Sequence, residues 1–195
     1  MSAFRVVFEQ YFYMVSRNFS RRDFLKMTAG GVVVASAMPS LSWASLPDEP
    51  RVLAMNNLNT GELLESCYFN GSTYVDEELK RLDKFCRDHR RNEIHPMDRR
   101  LFDQISQIQA LIGTDAEVIV ISGYRSPLTN ASLRNNSSGV AKKSMHMEGK
   151  AIDFRLDGVK LSTVRDAALS LKAGGVGYYP RSNFVHIDTG AVRSW

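Results

Sequence analysis

The sequence predicts an α+β domain with a central, mostly antiparallel sheet and flanking helices. Segments with strand periodicity and segments with helical periodicity are interspersed without a regular β-α-β alternation. The composition, 44% hydrophobic and 24% charged residues, is that of an ordinary globular protein. A chain of 195 residues is long enough for one such domain with a segment left over at one end.

The left-over segment lies at the N-terminus and has the pattern of an export signal. Residues 20–26 (SRRDFLK) match the twin-arginine pattern at every fixed position, and a weakly apolar run, residues 27–38, follows. This run is shorter than the roughly 20 residues that a membrane-spanning helix needs. Small residues at Ser42 and Ala44 suit cleavage by a signal peptidase.

These features predict the domain organisation and the location of the protein. We expect residues 1–44 to be a twin-arginine signal peptide, residues 45–50 a linker and residues 51–195 the folded domain. Residues 1–13 are unusually aromatic for a leader, and Met14 would be a more usual start. We expect export to the periplasm, with the twin-arginine export machinery as a partner during transport and no stable membrane anchor.

The net charge does not indicate a nucleic-acid partner. The formal charge of the whole chain is +4, but residues 1–44 carry five Lys or Arg against two acidic residues. The remainder therefore has 20 basic and 19 acidic residues. A nucleic-acid surface would need its basic excess in the folded domain.

The first predicted elements are a hairpin and two amphipathic helices. Residues 51–68 form two strand-like segments around Asn59-Thr60-Gly61, a turn whose residues tolerate positive φ. Apolar residues recur every three to four positions over residues 74–91, which predicts a helix. After His95-Pro96 a second stripe predicts another helix that ends at Gly113. That stripe consists of Leu101, Ile105, Ile108 and Ile112.

The C-terminal half combines short strands with one helix. Residues 117–122 (EVIVIS) predict a buried strand and residues 150–156 (KAIDFRL) a strand of alternating pattern. Residues 161–172 predict a helix. Residues 176–179 and 184–188 predict two more short strands.

Two of the four histidines have neighbours that suit a metal site. Asp153 follows His146 by seven residues across a glycine turn, and His186 lies on a predicted strand. Two imidazoles and one carboxylate, with a position left for water, are the usual ligands of a catalytic zinc. On spacing alone, histidines satisfied inside the core remain the alternative. We expect His89 and His95 to be structural or surface residues.

Three sequence blocks resemble the signatures of one zinc peptidase superfamily. They are residues 122–126 (SGYRS), the pattern Ser144-x-His-x-x-Gly-x-Ala-x-Asp153, and residues 185–190 (VHIDTG), in that order. The superfamily comprises D-Ala-D-Ala carboxypeptidases and dipeptidases, and the hedgehog signalling domain shares its fold. The resemblance extends over residues 51–195 and is closest to twin-arginine-exported murein endopeptidases of the YcbK (MepK) type. It implies a hedgehog/D-Ala-D-Ala peptidase-like fold.

The resemblance also implies roles for single residues. It assigns one zinc ion to His146, Asp153 and His186, and binding of a substrate carboxylate or backbone to Arg125 and Ser144. A guanidinium suits this role because it makes two parallel hydrogen bonds to a carboxylate. The alternative for Arg125 is a buried structural arginine paired with an internal acid.

The residue that activates the attacking water is left open. The dipeptidase branch has a glutamate three residues before the last histidine, where this chain has Asn183, which cannot take a proton. Asp188 shares a strand face with His186 and is the candidate general base. It is equally suited to accept a hydrogen bond that sets the His186 tautomer. Glu148 is a weaker candidate for the base.

The function implied by the resemblance is zinc-dependent hydrolysis of peptide cross-links in bacterial peptidoglycan, in cell-wall growth or remodelling. The bond would be one made by the peptide stems, of LD or DD type. The alternative is a catalytically weak module with the same fold that binds peptidoglycan.

Tyr178 and Tyr179 are candidates to flank the cleft or to donate a hydrogen bond to an oxyanion. The alternative is that they only pack against neighbouring residues. Whether Cys67 and Cys86 form a disulfide is open.

Overall fold

The structure is a computed structural model that describes residues 49–136 and 139–195. The predicted signal peptide and residues 45–48 of the predicted linker lie outside the described residues. Within them the chain forms a seven-stranded mixed sheet and four α-helices. This confirms the predicted α+β class. No helix in this part of the chain is long and apolar enough to cross a membrane.

The described part of the chain begins with the predicted hairpin, whose strands are longer than expected. β1 (Pro50–Asn57) and β2 (Leu63–Asn70) pair antiparallel. Gly61 closes the turn between them with a φ of 69°, a conformation that glycine adopts at little cost. Asn57 holds the turn in place because its side chain accepts from the Asn59 amide and donates to the Phe85 carbonyl.

The first helix is shorter than the sequence predicts. Helix α1 (Asp76–Phe85) ends at Cys86, and the prediction that it continues to residue 91 is wrong. Its apolar stripe stops at Cys86, and Asp88 is buried by hydrogen bonds from Ser126 rather than by continuing the helix. The residues after Cys86 form instead a turn closed by a bridge between Asp88 and Glu93.

The middle of the chain contains one helix that the sequence did not reveal. α2 (Arg100–Ile112) and β3 (Val118–Ser122) lie where they are predicted, and Gly113 ends α2 in the left-handed conformation. α3 (Pro127–Asn136) follows directly and has only a weak apolar stripe. Its start is encoded locally: the Ser126 hydroxyl accepts the Thr129 amide, and proline occupies the first helical position.

The remaining elements follow the predicted pattern closely. They are β4 (Ala151–Leu156), α4 (Leu161–Leu171), β5 (Gly175–Tyr179) and β6 (Phe184–Asp188). A two-residue strand, β7 (Arg193–Ser194), was not predicted because two residues carry no periodicity. It exists because it pairs parallel with β5.

The strand order β2-β1-β3-β4-β6-β5-β7 positions the candidate site at the centre of the sheet. Four of the six neighbouring pairs are antiparallel, as predicted, while β1–β3 and β5–β7 are parallel. The β4–β6 register places Asp153 opposite His186. Since strand residues alternate between faces, the flanking residues point to the opposite face, where they join the hydrophobic core. These are Ile152, Phe154, Val185 and Ile187.

Candidate metal centre

The structure brings the three predicted ligands together. His146 lies in a short 3-10 turn (Met145–Glu148), Asp153 in β4 and His186 in β6. The Nε2 atom of His146 is 3.2 Å from both Asp153 Oδ1 and His186 Nδ1, and the last two atoms are 2.8 Å apart. Tetrahedral zinc ligands with bonds of about 2.0–2.2 Å are about 3.3–3.6 Å from one another. The three side chains therefore form a compact donor set for one ion.

Hydrogen bonds on the outer side of each imidazole set its tautomer. The carbonyl oxygen of Gly123 only accepts, so His146 donates to it from Nδ1 over 2.7 Å. The Asp188 carboxylate likewise accepts from His186 Nε2 over 3.2 Å. In the neutral rings, each inner nitrogen is then a lone pair. Two such lone pairs and a carboxylate oxygen face one point with no proton between them, an arrangement that a cation stabilises.

The electrostatics of the centre also favour a cation. Burial lowers the pKa of His146, which keeps this ring neutral. Burial alone would lower the pKa of His186, but the adjacent Asp153 and Asp188 carboxylates raise it overall. Burial would raise the pKa of Asp153, yet the two imidazoles hold it well below its usual range. The carboxylates thus favour positive charge between them, which a bound metal ion also provides.

Asp188 lies outside the ligand triangle. It is fully buried, and its Oδ1 accepts the Gly175 and Gly190 amides at 3.0 and 2.9 Å. The Arg193 guanidinium bonds to both carboxylate oxygens. Burial raises the pKa of Asp188, but the hydrogen bonds from His186 and Arg193 lower it below its usual range. The geometry therefore favours the second predicted role, in which Asp188 orients His186, over a general base.

Arg125 lies beside the centre and has a hydrogen-bond donor without a partner. Its side chain is 13% exposed and its Nη2 is 3.5 Å from Asp153 Oδ2, longer than a charge-assisted hydrogen bond. Its buried Nε has no hydrogen-bond partner. Burial lowers the pKa of Arg125, although a guanidinium stays charged. Ser144 is 9% exposed and lines the same cleft. Both predicted substrate-binding residues thus face the predicted ligands.

The other candidate residues lie away from the ligand atoms. Glu148 is exposed to solvent and pairs with Lys150 at 2.8 Å, so its placement does not support a role as base. The His95 ring stacks on Tyr124 with centroids 4.7 Å apart, and His89 is half-buried outside the cleft. Both histidines are structural or surface residues, as expected.

The two cysteines are not paired in the structure. Cys67 is exposed and Cys86 is buried in the core, and both are free thiols. Burial raises the pKa of Cys86 to about 12, so its thiol is unreactive at neutral pH. Cys67 and Cys86 therefore do not form a disulfide in the structure.

The centre opens into a cleft of about 570 Å³ with a positive lining. Its basic side chains are Arg90, Arg125, Lys143 and Arg193, of which Arg193 is paired with the buried Asp188. Among the described residues that line it, Asp153 carries the only acidic side chain. The cleft is therefore suited to a negatively charged substrate.

Comparison with known proteins decides the family. A family model described as peptidoglycan L,D-endopeptidase MepK matches residues 45–195. The chain belongs to this family. The peptidoglycan L,D-endopeptidase MepK of Escherichia coli K12 is 52% identical over 178 residues, which cover 90% of this chain and 97% of that protein. The probable peptidoglycan L,D-endopeptidase MepK of Haemophilus influenzae is 47% identical over 173 residues, covering 87% and 92%.

Membership of the MepK family confirms the resemblance read from the three sequence blocks. Sequence reasoning missed the residues that support the centre from outside. Arg193 and Trp195 reach it from the C-terminus, and the Gly123 carbonyl orients His146. No short sequence pattern marks these contacts: Gly123 and His146 are 23 residues apart, and Trp195 lies beside His186 because β7 pairs with β5.

Proposed function

We propose that the chain is a zinc-dependent murein endopeptidase that hydrolyses L,D peptide bonds in the cross-links of peptidoglycan during cell-wall growth or remodelling. The observation that carries the proposal is the convergence of two imidazole lone pairs and one carboxylate oxygen at the floor of a cleft. The family and the relatives, whose names state this activity, support it. We also propose twin-arginine export to the periplasm, where peptidoglycan lies.

The proposed ligands of a single zinc ion are His146 Nε2, Asp153 Oδ1 and His186 Nδ1. A zinc ion held there supplies Lewis-acid polarisation of a carbonyl and a bound water with a pKa near 7. The chain orients the imidazoles through Gly123 and Asp188. Arg193 in turn holds Asp188 ionised.

The substrate assignment follows from the charge of the cleft. Peptide stems of peptidoglycan carry free carboxylates close to their cross-linking amide bonds, as in stems that contain diaminopimelate. The Arg125 guanidinium has unused donors next to the proposed metal. We assign it to a substrate carboxylate, which it binds with two hydrogen bonds. Ser144 lines the same side of the cleft and is assigned to the substrate backbone or carboxylate.

A sacculus digestion tests the proposal. Purified sacculi are incubated with the full chain, with zinc or with a chelator, and released muropeptides are identified by mass spectrometry. We expect zinc-dependent release of products cut at L,D bonds. His186→Ala should reduce the rate by roughly three orders of magnitude, because metal polarisation contributes several kcal/mol to transition-state stabilisation. His89→Ala, which removes a histidine outside the cleft, should leave the rate unchanged.

A peptidoglycan-binding module without hydrolysis is the second candidate. One observation favours it: Asn183 replaces the glutamate of the dipeptidase branch, and no other acidic side chain joins Asp153 among the described lining residues. In that case the chain would bind zinc and co-sediment with sacculi but release no muropeptides. Full activity in His186→Ala would contradict both the zinc ligand set and the proposed mechanism.

A further inference from the structure

The C-terminal residues form one wall of the cleft. Trp195 continues the pairing of β7 with β5: its amide donates to the Val176 carbonyl at 3.2 Å, and its carbonyl accepts the Tyr178 amide at 3.1 Å. Its indole lies 5.3 Å from the His186 ring and lines the cleft. The backbone pairing therefore fixes where this indole lies.

Gly177 provides the space that brings Trp195 next to Tyr179. A Cβ atom at Gly177 would lie 2.8 Å from Trp195 Cε2 and 2.8 Å from Tyr179 Cε2. Such distances are too short for real contacts, so only glycine allows both rings to lie over this position. Phe184 stacks on the Tyr179 ring, with centroids 4.5 Å apart and an interplanar angle of 21°. Tyr179 is thus held by packing as well as by its backbone.

One hydrogen bond determines the direction of the Tyr179 hydroxyl proton. Trp195 Nε1 lies 2.6 Å from the Tyr179 oxygen. An indole N–H only donates, so the phenol oxygen accepts there and its own proton points elsewhere. In the described part of the chain the hydroxyl has no acceptor. Tyr179 lines the cleft together with His186, so its proton is available to a group bound in the cleft.

We propose that Tyr179 is a catalytic residue that donates a hydrogen bond to the carbonyl oxygen of the scissile amide, and that Trp195 is the positioning residue that aims it. The inference rests on the proposed function. Water adds to the carbonyl carbon, and the π electrons of the carbonyl move to its oxygen. That electron pair then re-forms the C=O bond while the C–N bond breaks, and the leaving amine takes the proton that the attacking water gives up. Tyr179 keeps its own proton throughout and stabilises the charge on that oxygen.

The first test removes the hydroxyl. Tyr179→Phe keeps the ring that stacks on Phe184 but has no hydroxyl donor. We expect kcat to fall by about 10²-fold with KM changed little, since oxyanion donors act mainly in the transition state. Tyr178→Phe is the matched control: its ring packs against Arg165 at 4.5 Å, outside the cleft. Zinc content, measured by mass spectrometry, should be equal in all three proteins.

The second test separates positioning from packing. Trp195→Phe keeps an aromatic ring beside His186 and removes the N–H that donates to Tyr179. We expect kcat to fall several-fold with zinc content unchanged. The double variant Tyr179→Phe/Trp195→Phe should be no slower than Tyr179→Phe, because Trp195 then has no hydroxyl to aim. Additive losses would show that Trp195 acts independently and would overturn its positioning role.

The outcomes distinguish this inference from the proposed function. A parent chain that releases no muropeptides with zinc overturns the proposed function, and this inference with it. An active parent together with a Tyr179→Phe variant of unchanged kcat overturns the inference alone. A Tyr179→Phe variant that loses activity and zinc together would also overturn it, because the residue would then act on the metal site.

Discussion

His146 and His186 each present one ring nitrogen to the centre because a fixed acceptor occupies the other nitrogen. For His146 the acceptor is a backbone carbonyl, which no substitution of a side chain removes. For His186 it is Asp188, whose own position depends on two backbone amides and Arg193. The tautomer of His186 is therefore the more vulnerable of the two.

At the residue scale, Asp188→Asn separates the two roles considered for Asp188. The amide oxygen would take the Gly175 and Gly190 amides, leaving the NH₂ group towards His186 Nε2. An NH₂ group beside Nε2 favours the His186 tautomer that carries its proton on Nδ1, the atom proposed to bind the metal. We expect zinc affinity to fall about 10- to 100-fold, as for other lost outer partners of metal ligands. Equilibrium zinc competition with a chromogenic chelator measures it.

The two roles give opposite patterns in that experiment. A general base predicts normal zinc affinity and a low kcat at saturating zinc. An orienting acceptor predicts weakened affinity, with activity partly restored by added zinc. Unchanged affinity in Asp188→Asn would therefore contradict the positioning role that the geometry favours.

At the scale of elements, Gly149 connects the turn that carries His146 to the strand that carries Asp153. It has a φ of 64°, and its carbonyl accepts the Asp98 amide at 2.8 Å. A Cβ here would lie 2.2 Å from the Pro96 carbonyl oxygen. The close approach of the backbone at residue 149 to the backbone of Pro96 therefore requires glycine.

Gly149→Ala should destabilise the fold by more than backbone strain alone. Alanine at positive φ costs about 1–2 kcal/mol, and the clash with rigid backbone adds about 1–3 kcal/mol. Gly158→Ala is the control, because Gly158 also has positive φ (69°) but nothing within 4 Å of its Cβ position. Urea unfolding of both variants gives the two free energies of unfolding. Equal losses would contradict the close approach to Pro96.

Also at the scale of elements, hydrogen bonds join the turn after α1 to the start of α3. The Asp88 carboxylate accepts the amide and hydroxyl of Ser126 at 3.0 and 2.8 Å, which fixes the loop that carries Arg125. Burial raises the pKa of Asp88, but hydrogen bonds from Thr129 and Ser126 lower it overall. The folded state therefore favours the ionised carboxylate.

Asp88→Asn should lower the free energy of unfolding at pH 7 by about 1.5–3 kcal/mol, the usual range for hydrogen bonds to a charged group. Because the folded pKa lies below the unfolded value near 3.8, the stabilisation by Asp88 is complete above that value. It is lost as pH falls through the folded pKa. The difference between parent and variant should therefore shrink below about pH 4 in denaturant titrations. A constant difference would contradict this.

Asp83 provides a control, because its effect on the free energy of unfolding should change with pH in the direction opposite to that of Asp88. Burial raises its pKa, although it accepts the Met97 amide at 2.7 Å. A raised folded pKa means that protonation stabilises the folded state. The difference in stability between the parent and Asp83→Asn should therefore shift in the parent's favour as pH falls.

At the scale of the whole molecule, the proposed metal links the central strands. Its ligands come from β4, β6 and the turn before β4, so binding requires the folded sheet. We expect zinc at about 1,000 times its Kd to raise the free energy of unfolding by about 4 kcal/mol. Unfolding with zinc and with chelator measures it. His89→Ala should keep the full increase and His186→Ala should lose it; an equal increase in both would contradict the ligand set.

Much of the fold was predictable because it depends on local patterns. Alternating residues such as Ile152 and Phe154 indicate a strand, and the stripe containing Ile105 and Ile108 indicates a helix that Gly113 ends. The end of α1 was not predictable, because it depends on a contact distant in sequence, in which Asp88 accepts hydrogen bonds from Ser126. β7 was not predictable either, since two residues have no period.

The sequence by itself determined the fold class, the family resemblance and the three residues proposed as ligands, because these follow from periodicity and from motifs of fixed spacing. Only the tertiary structure decided which ring nitrogens face the centre, that Asp188 lies behind His186, and that Trp195 donates to Tyr179. The physical reason is that the direction of each hydrogen bond depends on where the loops and paired strands of the folded chain place the two groups. Spacing along the chain identifies the candidate residues, whereas strand register and hydrogen-bond direction decide what each side chain does.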